Sequence, residues 1–264
     1  MEIQEYVKLK KEEIKKEIET INKKVSFLII QVNDDSASNA YVKGKIKDAT
    51  EVGINAVLKK LPTTITQDEL LAEIDKANND KNICGIIVQM PLPKHISDEI
   101  ISLAINPSKD IDGFHPMSKF TPCTPKGIID YLKYEKFDFD SKNALVIGRS
   151  NIVGKPMAKL LLDENCNVTV VHSHTKKEDL KMFIKESDLI VVAIGKTYFL
   201  DESYTYKKEA VIVDVGINRT DDGLKGDCKP HLDVKLQTPV PKGVGLLTRL
   251  SLLTNILEAS KNEF

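Results

Sequence analysis

The sequence predicts an α/β fold built as two α/β units, and three observations carry that expectation. Short apolar runs rich in β-branched residues alternate with segments of helical period, a loop dense in proline and glycine interrupts the rhythm once, and the rhythm then restarts. Composition agrees with a globular chain. Its 264 residues carry a formal net charge of −1, with 41% hydrophobic and 29% charged residues. That balance excludes low-complexity and wholly disordered classes, and it provides no basic field for nucleic acid or an anionic membrane surface.

Residues 1–24 place Ile14, Ile18, Ile21 and Val25 at helical spacing among Lys and Glu, which predicts an amphipathic first helix. Val25–Val32 and Ile83–Met90 are apolar runs that read as buried strands. Between them, helices are expected from Ser38 to about Val52 and from Gln67 to about Asn78, the second opened by Thr66 as a cap. After the loop Asn106–Pro125 the rhythm restarts, and the two units are expected to join near Tyr131–Asp140. Strands are then expected at Asn143–Gly148 and Asn167–His172, and within 188–195 and 210–218. Helices are expected at 154–164 and 177–187, with a final one from about Thr248 to Ala259. The predicted division is 1–138 and 139–246, with 247–264 packing back on the first unit.

Cys84, Cys123, Cys166 and Cys228 form no CxxC pair, which favours reduced thiols in the cytoplasm over disulfides or structural zinc, and no other metal is expected. The amino-terminal segment has no apolar core of a signal peptide, and no run reaches the ~20 apolar residues of a membrane span.

VIGRSNIVGKP (Val146–Pro156) leaves a predicted strand and enters a predicted helix, with Gly148 and Gly154 bracketing the turn. A dinucleotide-binding fold places a diphosphate there, against the unpaired N–H groups of a helix N-terminus. The spacing is GxSxxxG rather than GxGxxG, and a plain βα turn that uses glycine for backbone freedom fits the same residues. The following strand ends in His172, Ser173, His174 and Thr175, with no carboxylate until Glu178. Arg149 in the turn and the missing carboxylate favour NADP over NAD. The two histidines read as an exposed strand end, not as metal ligands.

Tyr41 and Lys45 lie four residues apart at the border of the apolar face of Val42, Ile46, Ala49 and Val52. A lysine at such a border can lean over a cleft and exchange protons; a snorkelling surface lysine meets the same spacing. Gln89 closes a buried strand in VQMPLP, where ligands of open α/β sheets bind. Asp110 and Asp112 in KDIDGFHP sit in a stiff loop, for which Asx-turn chemistry is the alternative reading.

These motifs, followed by TPCTPKG, VDVGIN and TPVPKGVG, occur in the order of the bifunctional methylenetetrahydrofolate dehydrogenase/methenyltetrahydrofolate cyclohydrolase family, which the chain resembles from about Asp34 to Asn255. The resemblance implies a folate-handling first unit, a Rossmann-type NADP unit and an active site in the cleft between them. It implies Lys45 as the catalytic lysine, Tyr41 stacking on or orienting the folate, Gln89 hydrogen-bonding that lysine, and Asp112 holding the pterin. Gly243 and Gly245 match the turn near the substrate. Gly148, Arg149, Ser150, Gly154, Ser173 and Ile217 match the cofactor positions. A cytoplasmic homodimer acting on tetrahydrofolate derivatives, in one-carbon supply for purine biosynthesis, is expected.

Two departures stand out. The usual GGVGPMT reads KGVGLLT, with Lys242 for Gly and Leu246 for Pro, and the amino-terminal segment is short against the family pattern. Three other readings stay open: a different Rossmann-type oxidoreductase acting on a hydroxy acid, a dehydrogenase-only member, and a non-catalytic folate- or nucleotide-binding module.

Overall fold

The run SFLIIQ is buried at every position and forms strand β1 (Ser26–Gln31), the middle of a three-stranded parallel sheet. The computed structural model describes residues 2–261; Met1 and 262–264, the end of the segment expected to pack back, lie outside the described residues. Helix α1 (Ile3–Glu19) buries Ile14 and Ile18 but stops short of residue 24, where the Thr20 hydroxyl donates to the Glu17 carbonyl (2.7 Å) and closes the last turn. Helix α2 (Ser36–Glu51) starts two residues earlier than predicted, because Asp35 accepts the Ser38 N–H (2.8 Å) as its cap.

Strand β2 (Asn55–Lys60) pairs with β1 in the register Ser26↔Asn55, an element the sequence reading lacked. It is a half-exposed edge whose Lys59 and Lys60 break the apolar run that announces a buried strand. Helix α3 (Gln67–Asn79) opens with a capping box between Thr66 and Glu69. Strand β3 (Gly85–Gln89) completes the order β2-β1-β3, and helix α4 (Asp98–Ala104) follows. Leu70 and Ile74 of α3 and Ile101 of α4 pack with Leu28, Ile30, Ile86 and Val88 of the sheet.

Helix α5 (Cys123–Tyr134) lies where the sequence placed the end of a loop and the junction between units. Contacts divide the chain into Lys8–Cys123 with the chain from Arg249 on, and Thr124–Thr248 with the chain up to Val7. This grouping sets α5 apart from the expected 1–138 unit, because Ile128, Ile129 and Leu132 bury themselves with Val146, Met157, Leu161 and Val191.

The second unit holds a parallel sheet of β4 (Asn143–Ile147), β5 (Asn167–Val171), β6 (Leu189–Val192), β7 (Val211–Asp214) and β10 (Leu236–Gln237), in the order β10-β7-β6-β4-β5. Helices α6 (Gly154–Asp163) and α7 (Lys177–Glu186) make the crossovers β4-α6-β5 and β5-α7-β6. The chain goes from β4 to β5 on one side and returns to β6 on the other, so β4 marks a topological switch point. Strands β6 and β7 end sooner than their apolar runs, where buried Asp227 and Asp214 collect the N–H groups of Ile194, Gly195 and Gly216. A short antiparallel hairpin, β8 (Asn218–Thr220) and β9 (Gly223–Lys225), follows β7.

Helix α8 (Val244–Lys261) starts four residues before Thr248. In the first unit, Arg249 Nε pairs with Asp48 of α2 (2.7 Å), and Asn255 donates to the carbonyls of Ile111 and Thr121.

Candidate functional site

In the first unit, α2 turns Lys45 inward. The residue is only 5% exposed, its Nζ stands 3.8 Å from Asp112 Oδ2, and the same nitrogen lies 5.2 Å from the centroid of the half-buried Tyr41 ring. Asp112 is carried there by backbone pairing: the Ile86 N–H donates to Lys109 O (2.7 Å), extending the sheet edge to a bridge between Ile86 and Asp110. Gly113 then turns the chain at φ 77, where a Cβ would sit 2.6 Å from Pro122 N, so only glycine fits. Asp110 accepts the His115 N–H (2.8 Å), and burial, with Asp112 adding its charge, pushes the Asp110 carboxyl up to about 6.

Gln89, at the carboxyl end of β3, donates through Nε2 to the Met90 carbonyl (2.8 Å). Because that carbonyl can only accept, the amide orientation is fixed, and Oε1 is buried without a partner. The hydrogen bond to Lys45 implied by the resemblance is therefore not formed here. The lysine instead faces Asp112 and the Tyr41 ring. A cation, an aromatic face and a carboxylate together suit a flat heterocycle bearing N–H donors, with a proton carrier beside it.

In the second unit, a cavity of about 580 Å³ opens at the carboxyl ends of β4, β5 and β6, at the switch point. Gly148 has φ 122, and a Cβ on it would strike the Ala193 carbonyl; a Cβ on Gly154 would strike Gly148 O. Both glycines are thus demanded by close backbone approach. Ser150 Oγ accepts from the N–H groups of Val153 (3.2 Å) and Gly154 (3.3 Å), shaping the start of α6. Arg149 and Ser173 line the cavity with His172, Thr175, Lys177 and Lys196, and no carboxylate is among the lining residues. A tight glycine cradle plus three cations fits NADP, with its diphosphate and 2′-phosphate.

Lys177 and Lys196 were not singled out from the sequence. Their signal was a lysine in the first turn of the helix after β5 and another directly after Gly195 at the end of β6. Ile217 lies away from the cavity lining, 3.9 Å from the point where a Gly245 Cβ would stand. Gly243 and Gly245 flank the start of α8; a Cβ on Gly243 would strike Pro239 O. Lys242 holds φ 73, which explains why glycine is the usual residue at that position. Leu246, which replaces the usual proline, donates its N–H to Gly243 O (3.0 Å), a bond proline cannot make. All four cysteines are free and buried, and burial pushes the Cys84 and Cys166 thiols up to about 11, far from a reactive thiolate.

Comparison with known proteins bears on both sites. Residues 1–112 match the family described as tetrahydrofolate dehydrogenase/cyclohydrolase, catalytic domain, and residues 122–264 match the corresponding NAD(P)-binding domain. The chain is 45% identical over 267 residues to the bifunctional protein FolD of Enterococcus faecalis, covering 95% of this chain and 94% of that one. It is similar to the crystal structure of the bifunctional enzyme FolD, methylenetetrahydrofolate dehydrogenase/cyclohydrolase, from Campylobacter jejuni, with TM-score 0.95, 38% identity, and 100% of this chain and 98% of that one covered. A Trypanosoma brucei N5,N10-methylenetetrahydrofolate dehydrogenase-cyclohydrolase complexed with NADP and an inhibitor is similar at TM-score 0.92 and 28% identity, over 99% of this chain and 96% of that one.

Proposed function

The chain belongs to the tetrahydrofolate dehydrogenase/cyclohydrolase family, and from that premise we propose how its residues divide the work. It is a bifunctional enzyme: it oxidises 5,10-methylenetetrahydrofolate to 5,10-methenyltetrahydrofolate with NADP and hydrolyses the product to 10-formyltetrahydrofolate. The observation that carries the assignment of roles is the buried Lys45 held between Asp112 and the Tyr41 ring.

On this reading Asp112 accepts N–H donors of the pterin and Tyr41 packs on its face, which fixes the reacting carbon in place. The orphan Gln89 Oε1 is the acceptor for a donor brought into the site, whether the lysine or the substrate. When bound, NADP supplies the hydride acceptor for the oxidation. In the hydrolytic step water adds to the methenyl carbon and loses one proton to solvent; the Lys45 ammonium then gives its proton to N5 as the N5–carbon bond breaks, and takes back the proton of the hydroxyl that becomes the formyl oxygen. Arg149, Ser173, Lys177 and Lys196 would hold the 2′-phosphate, and the turn from Gly148 through Ser150 to Gly154 the diphosphate. Gly243 and Gly245 are proposed to line the substrate turn and Ile217 the cofactor side.

The family resemblance also supports a cytoplasmic homodimer that feeds purine biosynthesis with one-carbon units. The four free thiols agree with a reducing compartment, and among the described residues no helix is long and apolar enough to cross a membrane. The test of the reaction is a spectroscopic assay with methylenetetrahydrofolate and NADP, followed over time. Formation and decay of the methenyl absorbance are expected. Absorbance that forms and never decays identifies a dehydrogenase alone, and no absorbance removes the assignment.

A further inference from the structure

Asp227 is fully buried, and its carboxylate gathers the N–H groups of consecutive residues after β6. Oδ2 accepts from Ile194 (2.8 Å) and Gly195 (3.0 Å), and Oδ1 accepts from Lys196 (2.7 Å) and from Asn218 Nδ2 (3.0 Å). Ile194 and Lys196 line the cofactor cavity, while Gly195 between them takes φ 65, so the chain wraps round an anion that the protein itself supplies. Asp214 fixes Asp227 in turn. Its Oδ1 accepts the N–H groups of Asp227 (3.0 Å) and Gly216 (2.9 Å), and its Oδ2 accepts that of Cys228 (2.8 Å). A Cβ on Gly226 would strike the Asp214 carboxylate, which leaves this relay no slack.

Asp227 itself is not among the residues lining the cavity. We propose that Asp227 is a positioning residue for NADP: it sets the 194–196 loop so that the backbone of Ile194 and the Lys196 side chain meet the cofactor in one fixed arrangement. The inference rests on the NADP reading of the cavity. A carboxylate is required because all four hydrogen-bond partners of its oxygens are donors; an amide in its place turns an NH2 group toward N–H groups and leaves donors unpaired.

The experiment is Asp227→Asn in the full chain, with NADP affinity measured by titration calorimetry and the two activities assayed separately. The NADP Kd and the KM for NADP are expected to rise about ten- to hundredfold, the range for lost hydrogen bonds to a charged group. The KM for methylenetetrahydrofolate stays unchanged, and hydrolysis of methenyltetrahydrofolate supplied without NADP is retained. Unchanged NADP affinity in the folded variant, or equal loss of both activities, overturns the proposal. If Asp227→Asn fails to fold, Asn218→Ala decides: removing one of the four bonds is expected to weaken NADP about two- to tenfold with hydrolysis kept, and unchanged affinity overturns the idea. A wild-type chain that binds NADP but does not oxidise methylenetetrahydrofolate would refute the functional reading while leaving this calorimetric test intact.

Discussion

Lys45 Nζ stands 3.8 Å from Asp112 Oδ2, with both side chains largely withdrawn from water, so a helix lysine and a loop carboxylate form one ion pair at the carboxyl edge of the first sheet. Methionine at position 45 keeps an unbranched apolar stem, one atom shorter, and removes the proton carrier. Lys45→Met is expected to lower cyclohydrolase turnover by about two to four orders of magnitude, the usual worth of a positioned acid or base. Circular dichroism should be that of the wild type. A variant that still hydrolyses methenyltetrahydrofolate at the parental rate removes Lys45 from the mechanism.

Arg149 is exposed at the cofactor cavity, where Lys177 and Lys196 supply further positive charge and no carboxylate lines the wall. Arg149→Ala is expected to raise the KM for NADP about tenfold, in line with loss of a charge-assisted phosphate contact. Use of NAD, which carries no 2′-phosphate, should hardly change. Equal losses for NADP and NAD would place Arg149 on a shared part of the two cofactors, and wild-type use of NAD as effective as that of NADP would end the argument from polarity.

Most of the sheet strands could be read from the sequence because β1, β3, β6 and β7 are buried at every position, and β4 at every position but Asn143, in apolar runs rich in β-branched residues. Strand β2 could not be read this way, since an edge strand with Val57 39% exposed and lysines at its end carries no such signature. Helix α5 was hidden by Pro125 and Gly127. The glycine is there because a Cβ would come 2.6 Å from the Leu247 carbonyl, a reason that exists only in three dimensions. At the site, Lys45 and Asp112 were legible as motif residues, but their pairing depends on the Ile86 bridge to the 109–113 loop. Asp214, though inside VDVGIN, and Asp227 were not legible as functional residues, because their role is to bind backbone N–H groups far along the chain.

Lys242 is a non-glycine residue at φ 73, a conformation that costs an L-residue about 1–2 kcal/mol. Glycine adopts it freely but loses roughly 0.5–1 kcal/mol of chain entropy on folding. Lys242→Gly is therefore expected to stabilise the chain by about 0.5–1 kcal/mol in urea unfolding, with the slope unchanged. A loss of stability would mean that the lysine side chain makes a compensating contact.

Asp110 is 1% exposed, and its folded pKa of about 6 lies above the ordinary 3.8. The protonated acid is thus the form that the fold prefers. Its contribution is fully present below the unfolded value and is lost as pH rises through about 6. Asparagine mimics the protonated acid and keeps an acceptor for the His115 N–H. Asp110→Asn should therefore match the wild type near pH 4 and exceed it by up to about 3 kcal/mol at pH 8, because holding a carboxyl at about 6 instead of 3.8 costs roughly 1.4 kcal/mol for each tenfold change in its acidity. Urea unfolding at a series of pH values measures the difference. If it stays constant between pH 4 and 8, Asp110 is not titrating within the fold, and the burial of its charge is relieved in some other way.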